Sequence, residues 1–313
     1  MKKKLVIAVL LVLIILAGAL LFIPKKIKVS SSVTYAANAQ GVFNFLTDQT
    51  NWEKWWPGKI SGNEGKLVFN FSSYNFYIDK MLYNACEINF EKDNKMYTGL
   101  MKIVSLKVDG TGVEFTTEID AGTNPINRIA NYFDARKIKK VFNDIVNALA
   151  QYTQSVKNVY GFDIRNEKVQ MQYLLSASKL ISHYPSTQDI YSLIEKIRAY
   201  IKTTDGAEEF HPMLNIEKTD SMAYLVRVGL PVNKNLPETK GISVKQMVKN
   251  GNILVTEVTG DSKTIELALK QMEKYISDYE RSVIAIPFQS LETDRTKVTD
   301  STKWVTKIFY PVV

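Results

Sequence analysis

The stretch T-K-W-V-T-K-I-F-Y-P-V-V, Thr302–Val313, decides how the second half of the chain is read. Its β-branched and aromatic residues predict a terminal strand, and Pro311 ends the ladder. Ser221–Val232, S-M-A-Y-L-V-R-V-G-L-P-V, has the same length, the same alternation and the same Pro-Val ending. Upstream of each lies a helix-patterned segment, Ile190–Ile201 and Ile265–Ile276, and then a proline that opens a return strand, Pro212 and Pro287. Helices and prolines recur at an offset of about 75 residues, too long for a solenoid and natural for two copies of one α+β unit. A strand, helix, strand, strand unit used twice predicts a pseudo-twofold domain with a cleft between the copies, and such clefts are common ligand sites.

Residues 1–28 read as a transmembrane anchor. Lys2–Lys4 precede the apolar run Leu5–Ile23, and Pro24, Lys25, Lys26 and Lys28 follow it. At ~1.5 Å per residue the run reaches roughly 28 Å, enough for the hydrocarbon core of a bilayer. Ala17-Gly18-Ala19 has the small-x-small spacing of a signal cleavage site, but the run continues through Leu20–Ile23 instead of breaking there. The flanking lysines nearly cancel under the positive-inside rule. A short basic N-terminus usually stays inside, so the expectation is a single-pass protein of a bacterial inner membrane with its soluble body on the periplasmic side. The lipid bilayer is the first expected partner, through Leu5–Ile23.

The anchor also explains the basic composition. The chain carries 40 Lys+Arg against 32 Asp+Glu, but residues 1–28 hold six of those lysines and no acid. The body that remains has 34 against 32, which is no footprint for nucleic acid. The single cysteine, Cys86, excludes an intramolecular disulfide and a cysteine metal cluster, and its strand-like setting Y-N-A-C-E-I-N-F reads as a buried, inert thiol. No G-x-S-x-G, P-loop, dinucleotide fingerprint or H-E-x-x-H occurs. His183 and His211 both sit beside turn prolines and read as loop residues. No catalytic residue, metal site or cofactor is expected.

In the first soluble segment, residues 28–36 alternate as a strand. Asn38–Thr47 follows as a short helix capped by Asn38, with Val42, Phe43 and Leu46 inward. The aromatic phrase N-W-E-K-W-W-P-G comes next, Asn51–Gly58, and its tryptophans Trp52, Trp55 and Trp56 read as packing residues. Strands are expected at Lys66–Phe71, Tyr74–Leu82, Cys86–Glu91, Met96–Val108 and Gly112–Asp120, with turns at Asn63-Glu64-Gly65, Asp93-Asn94 and Asp109-Gly110. One helix of roughly 50 Å is expected from Pro125 to Val159, with an apolar stripe through Ile138, Val141, Phe142, Ile145, Leu149, Tyr152 and Val156.

This order, with V-F-N-F-L-T-D-Q-T-N-W-E-K-W-W-P at its start, resembles the START-like (SRPBCC, polyketide cyclase-like) superfamily over residues 29–160. The resemblance implies a curved antiparallel sheet gripping the long C-terminal helix, with a hydrophobic ligand between them.

Val169–Leu180 is expected as a strand leading to Pro185-Ser186-Thr187-Gln188 and the first repeat helix. The two repeats, with Y-L-V-R-V-G-L-P-V and W-V-T-K-I-F-Y-P-V, make residues 161–313 similar to the GyrI-like, or effector-binding, domain of bacterial multidrug sensors. The resemblance implies a central cleft for apolar or cationic small molecules. Two departures bear on that chemistry. The family has a glutamate where this chain has Lys307, in W-V-T-K-I-F-Y-P, and another where it has Gln289, in P-F-Q-S-L. Without a buried carboxylate a cation loses its partner, so an anionic or neutral ligand is favoured. Glu257 is placed to neutralise Lys307, unless Lys307 points to solvent. The candidate ligand-binding residues are Tyr173, Tyr224, Glu257, Gln289, Trp304, Lys307 and Phe309. Each aromatic among them could equally be core, because strand alternation turns one face inward whatever the function.

The fold expected is α+β: an N-terminal transmembrane helix, a helix-grip domain and a duplicated α+β domain. The function expected is binding of a small hydrophobic or amphiphilic ligand at a membrane, in sensing, sequestration or delivery, with no DNA-binding domain. A hydrolase or cyclase acting on a hydrophobic small molecule in one of the two cavities is the alternative, and a scaffold with filled cavities is the third.

Overall fold

The structure is a computed structural model that describes residues 2–62, 67–107, 110–220 and 222–313, apart from the side chains at 2, 19–21 and 105–107. The turns expected at Asn63–Gly65 and Asp109, the strand ends at Lys66 and Val108, and Ser221 lie outside the described residues. The chain forms two compact units, Met1–Val159 and Tyr160–Val313.

In the first unit the elements run α1 (Lys2–Phe22), β1 (Lys26–Tyr35), α2 (Ala39–Thr47), α3 (Trp52–Trp55), β2 (Lys59–Ser61), β3 (Val68–Phe71), β4 (Tyr74–Met81), β5 (Ala85–Lys92), β6 (Lys95–Lys107), β7 (Gly110–Asp120), α4 (Pro125–Thr153) and, across the boundary, α5 (Val156–Tyr160). The strands make one antiparallel sheet in the order β1-β7-β6-β5-β4-β3-β2. Its tight hairpins are set locally: Ser72-Ser73 and Asp93-Asn94 all adopt positive φ, the geometry that matches the twist of paired strands. The sheet curls round α4, whose buried stripe Ile138, Val141, Phe142, Ile145 and Leu149 faces it. Phe142 stacks on Phe115 at 3.6 Å and takes Phe90 edge-on at 5.4 Å. Phe76, Trp56, Phe69 and Trp52 continue that chain of rings. Trp52, Trp55 and Trp56 are all buried, and their indole N–H groups donate to the carbonyls of Leu46, Phe45 and Asn70. A Cβ at Gly58 would overlap the Asn70 carbonyl, so the chain leaves this cluster through a residue with no side chain.

The helix expected to run unbroken from Pro125 to Val159 is two helices. Thr153 turns its hydroxyl back to the Leu149 carbonyl at 2.8 Å, and Ser155 Oγ accepts from the Asn158 N–H at 3.3 Å, capping a new turn. The short strand β2 was not expected from the pattern.

Among the described residues no helix is long and apolar enough to cross a membrane, so the anchor expected at Leu5–Ile23 is not shown. Its apolar run passes through positions 19–21, whose side chains are outside the description. What α1 does display is apolar residues exposed on every side, from Leu5 at 68% to Val12 at 53%.

The second unit contains β8 (Arg165–Lys168), β9 (Tyr173–Ile181), α6 (Thr187–Ile201), β10 (Met213–Lys218), β11 (Tyr224–Val232), β12 (Ser243–Gln246), β13 (Asn252–Thr259), α7 (Ser262–Asp278), β14 (Phe288–Leu291) and β15 (Val305–Pro311). Its antiparallel sheet is ordered β12-β9-β11-β10-β14-β15-β13-β8. The order is a palindrome of two copies: β9-α6-β10-β11 and β13-α7-β14-β15 meet where Met213 pairs with Ser290 and Leu214 with Gln289. The prolines at 212 and 287 stand directly before β10 and β14, as the pattern indicated. The strand that precedes each copy is exchanged: β8 pairs with β13 of the second, and β12 with β9 of the first. That exchange replaces the expected strand Val169–Leu180, which starts only at Tyr173 because Val169 exchanges backbone hydrogen bonds with Asn250 and Gly251. Likewise the strands expected from Ser221 and Thr302 begin at Tyr224 and Val305.

Two measurements check the first unit. Burial pushes the Cys86 thiol up to about 12, so native protein should be inert to a disulfide-exchange dye at pH 8 and titrate fully once denatured. Burial also pushes the Tyr35 phenol up to about 12, although its hydroxyl meets Thr153 Oγ1 at 2.9 Å. The unfolded chain therefore loses this proton first, near pH 10, and stability should fall between pH 10 and 12. Tyr35→Phe should flatten that fall while costing about 1 kcal/mol at neutral pH in urea unfolding.

Candidate ligand cleft

Strand alternation gives the second unit's sheet two chemically different faces. Val226, Val228 and Leu230 of β11 and Leu214 of β10 pack under α6, and Tyr310 of β15 reaches Glu273 of α7 at 3.1 Å. Residues one step away point to the other face.

On the helix-bearing face a cavity of about 230 Å³ lies where the two copies meet. Ile190 of α6 and Ile265 of α7 wall it symmetrically, at equivalent places in the repeat. Ile216, Gln289, Tyr184, Trp304 and Arg295 complete the lining. Ser186, Thr187 and Ser262 bring the first turns of both helices to it. Those helix ends are already capped, by a Ser186–Asp189 capping box and by Asp261.

Arg295 is the unusual member. It is only 8% exposed, and among the described residues no carboxylate pairs with it. Of its five guanidinium N–H donors, one on Nη2 reaches Thr306 Oγ1 at 2.9 Å, and Nε is buried without a partner. The guanidinium lies 4.6 Å from the Trp304 ring, a cation–π contact worth about 2 kcal/mol when desolvated. Burying an ion still costs several kcal/mol. Accordingly burial lowers the Arg295 pKa from its ordinary value, with the tyrosine oxygens of Tyr191 and Tyr184 opposing. The loop that holds it is fixed by the Arg295 backbone N–H, which donates to the Tyr191 hydroxyl at 2.8 Å, and by the Trp304 indole, which donates to the Val298 carbonyl at 2.7 Å.

The seven residues singled out from the sequence do not converge. Gln289 and Trp304 line this cleft, and Tyr224 touches its rim through an edge-on contact with Tyr184 at 5.5 Å. Tyr173 packs into the α6 core at the far end of the β9–β11 ladder; Tyr224 pairs with Ile181 and Val232 with Tyr173, about 27 Å apart at strand rise. Lys307 and Phe309 are on the opposite face, in a second cavity of about 330 Å³ with Phe210, His211, Met213, Ser290 and Glu292. There Lys307 Nζ lies 3.4 Å from Glu292 and 3.8 Å from Glu257, which is half exposed at the rim. Gln289 and Lys307 thus cannot serve one ligand.

Arg295 was missed, and a signal for it existed. The copies are offset by 75 residues at Glu217 and Glu292 but by 80 at Arg227 and Lys307. The second copy therefore carries five extra residues in the hairpin between these strands, and Arg295 lies in that hairpin.

No family model matches the chain, and no curated protein matches it. Solved structures resemble it in part. The EcmrR C-terminal domain has 14% identity and a TM-score of 0.41, over 49% of this chain and 98% of that one. A hydrolase from Listeria innocua has 12% identity and a TM-score of 0.38, over 48% and 92%. The Zhui aromatase/cyclase from Streptomyces sp. R1128 has 13% identity and a TM-score of 0.30, over 41% and 94%. These likenesses are weak.

Arg295→Met tests whether the guanidinium is a structural cation. With no carboxylate to orphan, the exchange should leave the empty protein at least as stable in urea unfolding. A loss of 3 kcal/mol or more, roughly that of breaking a buried ion pair, would mean that the guanidinium is a structural cation with a charged partner in the fold.

Proposed function

We propose that the chain is a non-catalytic receptor for a small amphiphilic anion, bound between the two copies of its second unit and held at a membrane by α1. The supporting observation is Arg295: a buried cation with an unfilled donor, lining a cavity whose other walls mix Ile190, Ile216, Ile265, Tyr184 and Trp304 with the neutral polar groups of Gln289, Ser186, Thr187 and Ser262. A planar carboxylate matches the guanidinium fork, and a compact apolar body suits the walls. A cavity of this size is below the ~300–1,000 Å³ common for drug-sized ligands, which favours a small one. The anchor reading rests on a helix that is apolar all round, a surface without a favourable face toward water.

A hydrolase or cyclase would have to work on the other face, where Glu292 sits beside apolar walls. Glu292 already accepts from Ser290 at 2.8 Å and lies 3.4 Å from Lys307 and 3.5 Å from His211. That carboxylate already has three polar neighbours. Ser290, His211 and Lys307 all converge on the Glu292 carboxylate itself, whereas the Arg295 Nε donor is left open, and this contrast supports binding over turnover.

Thermal shift of the full chain against benzoate, benzamide and benzamidine tests the reading. Benzoate should raise Tm and the other two should not, and Arg295→Met should abolish the benzoate effect while Lys307→Gln retains it. A shift by benzamidine alone, or a benzoate shift that survives Arg295→Met, would contradict it.

A further inference from the structure

A second concavity lined by cations lies in the first unit. Between the edge strand β1 and α4 runs an open groove of about 660 Å³, with Val29, Ala135 and Ile27 as apolar floor and Ser31 and Asn143 as polar wall. Lys28, Arg136, Lys139 and Lys140 line it. Among the described residues Arg136, Lys139 and Lys140 are in no ion pair, whereas Lys28 alternates with Ile27 and Val29 and stands opposite Glu118 and near Glu114 on the other face of the sheet. The acids nearby are engaged or face away: Glu118 pairs with Lys26, Glu114 with Lys102 and Asp134 with Lys137, and neither Asp134 nor Asp144 lines the groove. A lone surface lysine is ordinary, but several unmatched cations along one concave wall focus a positive potential.

Its place in the fold selects the occupant. Buried Arg128 of α4 donates from Nη1 to the Ile23 carbonyl at 3.1 Å and from Nε to the Gly122 carbonyl at 2.9 Å, which clamps the chain leaving α1 against the start of α4. Tyr132 and Arg136 follow one and two turns later, about 6 and 12 Å along the helix axis. The cations therefore lie about 12 to 18 Å along α4 from the point where the apolar helix joins the folded body. From this juxtaposition we infer that the β1–α4 groove binds the phosphate of an anionic lipid headgroup in the bilayer that holds α1. The inference rests on the membrane reading of α1 and is independent of the Arg295 cleft.

Full-length protein in dodecyl maltoside, mixed with equal phosphatidylglycerol and phosphatidylcholine, is analysed by native mass spectrometry for retained lipid. Phosphatidylglycerol should be retained about tenfold or more over phosphatidylcholine, and Arg136→Gln/Lys139→Gln/Lys140→Gln should bring the ratio to near one. These side chains are exposed, so the triple variant should keep its melting temperature. Equal retention by the unaltered chain, or a preference that survives the triple exchange, would overturn the site. Release of the lipid by millimolar inorganic phosphate, itself retained in its place, would overturn the lipid assignment in favour of a soluble phosphate. Sedimentation with pure phosphatidylcholine vesicles separates the premises. A chain that fails to join them refutes the anchor, and one that joins them without preferring phosphatidylglycerol refutes only the groove.

Discussion

Adjacent residues on a strand must face opposite sides of the sheet, and the second unit is organised by that constraint. It puts Gln289 and Leu291 under the helices and Phe288 and Ser290 on the other face, within one four-residue strand. It gives each face its own cavity and its own electrostatics. The helix face encloses an unmatched cation, whereas the other face holds a matched network around Glu292. A ligand that needs a counter-charge finds one free on the helix face.

The duplication sharpens the contrast. On the open face the copies have kept the same device: Arg227 reaches Glu217 at 2.6 Å in the first, and Lys307 reaches Glu292 at 3.4 Å in the second. Conservation of a paired charge across two copies of one unit suits a structural role in the ladder. On the helix face the copies have diverged, with Gln289 where the first has Leu214, Trp304 where it has Tyr224, and a longer hairpin that brings in Arg295. Symmetric walls and an asymmetric polar corner would let a small ligand bind in one orientation.

Much of this fold was legible in the sequence. Repeated helices, the two strand-opening prolines and the Pro-Val endings gave the duplicated unit, and period-2 runs gave most of the first sheet. The exchange of β8 and β12 was not legible, because Arg165–Lys168 and Ser243–Gln246 are short and polar and owe their strand state to partners far away in sequence. The break at Gln154–Ser155 was hidden by an apolar stripe that continues through it, while side-chain hydrogen bonds end the helix. The helix-face cleft was less legible. Lysine at 307 and glutamine at 289 pointed to an anionic or neutral ligand with Lys307 beside it, since sequence alone could not show that Glu292 and Glu257 already surround that lysine. Arg295 sits in a turn without periodicity, and only its burial marks it.

Anomalous scattering from a crystal grown with 4-bromobenzoate tests most directly whether Arg295 is the counter-ion of a bound ligand. A bromine peak between Ile190 and Ile265, with the carboxylate on the Arg295 guanidinium, is the expected result. A peak on the opposite face beside Lys307, or an Arg295 cleft left empty at saturating ligand, would contradict it.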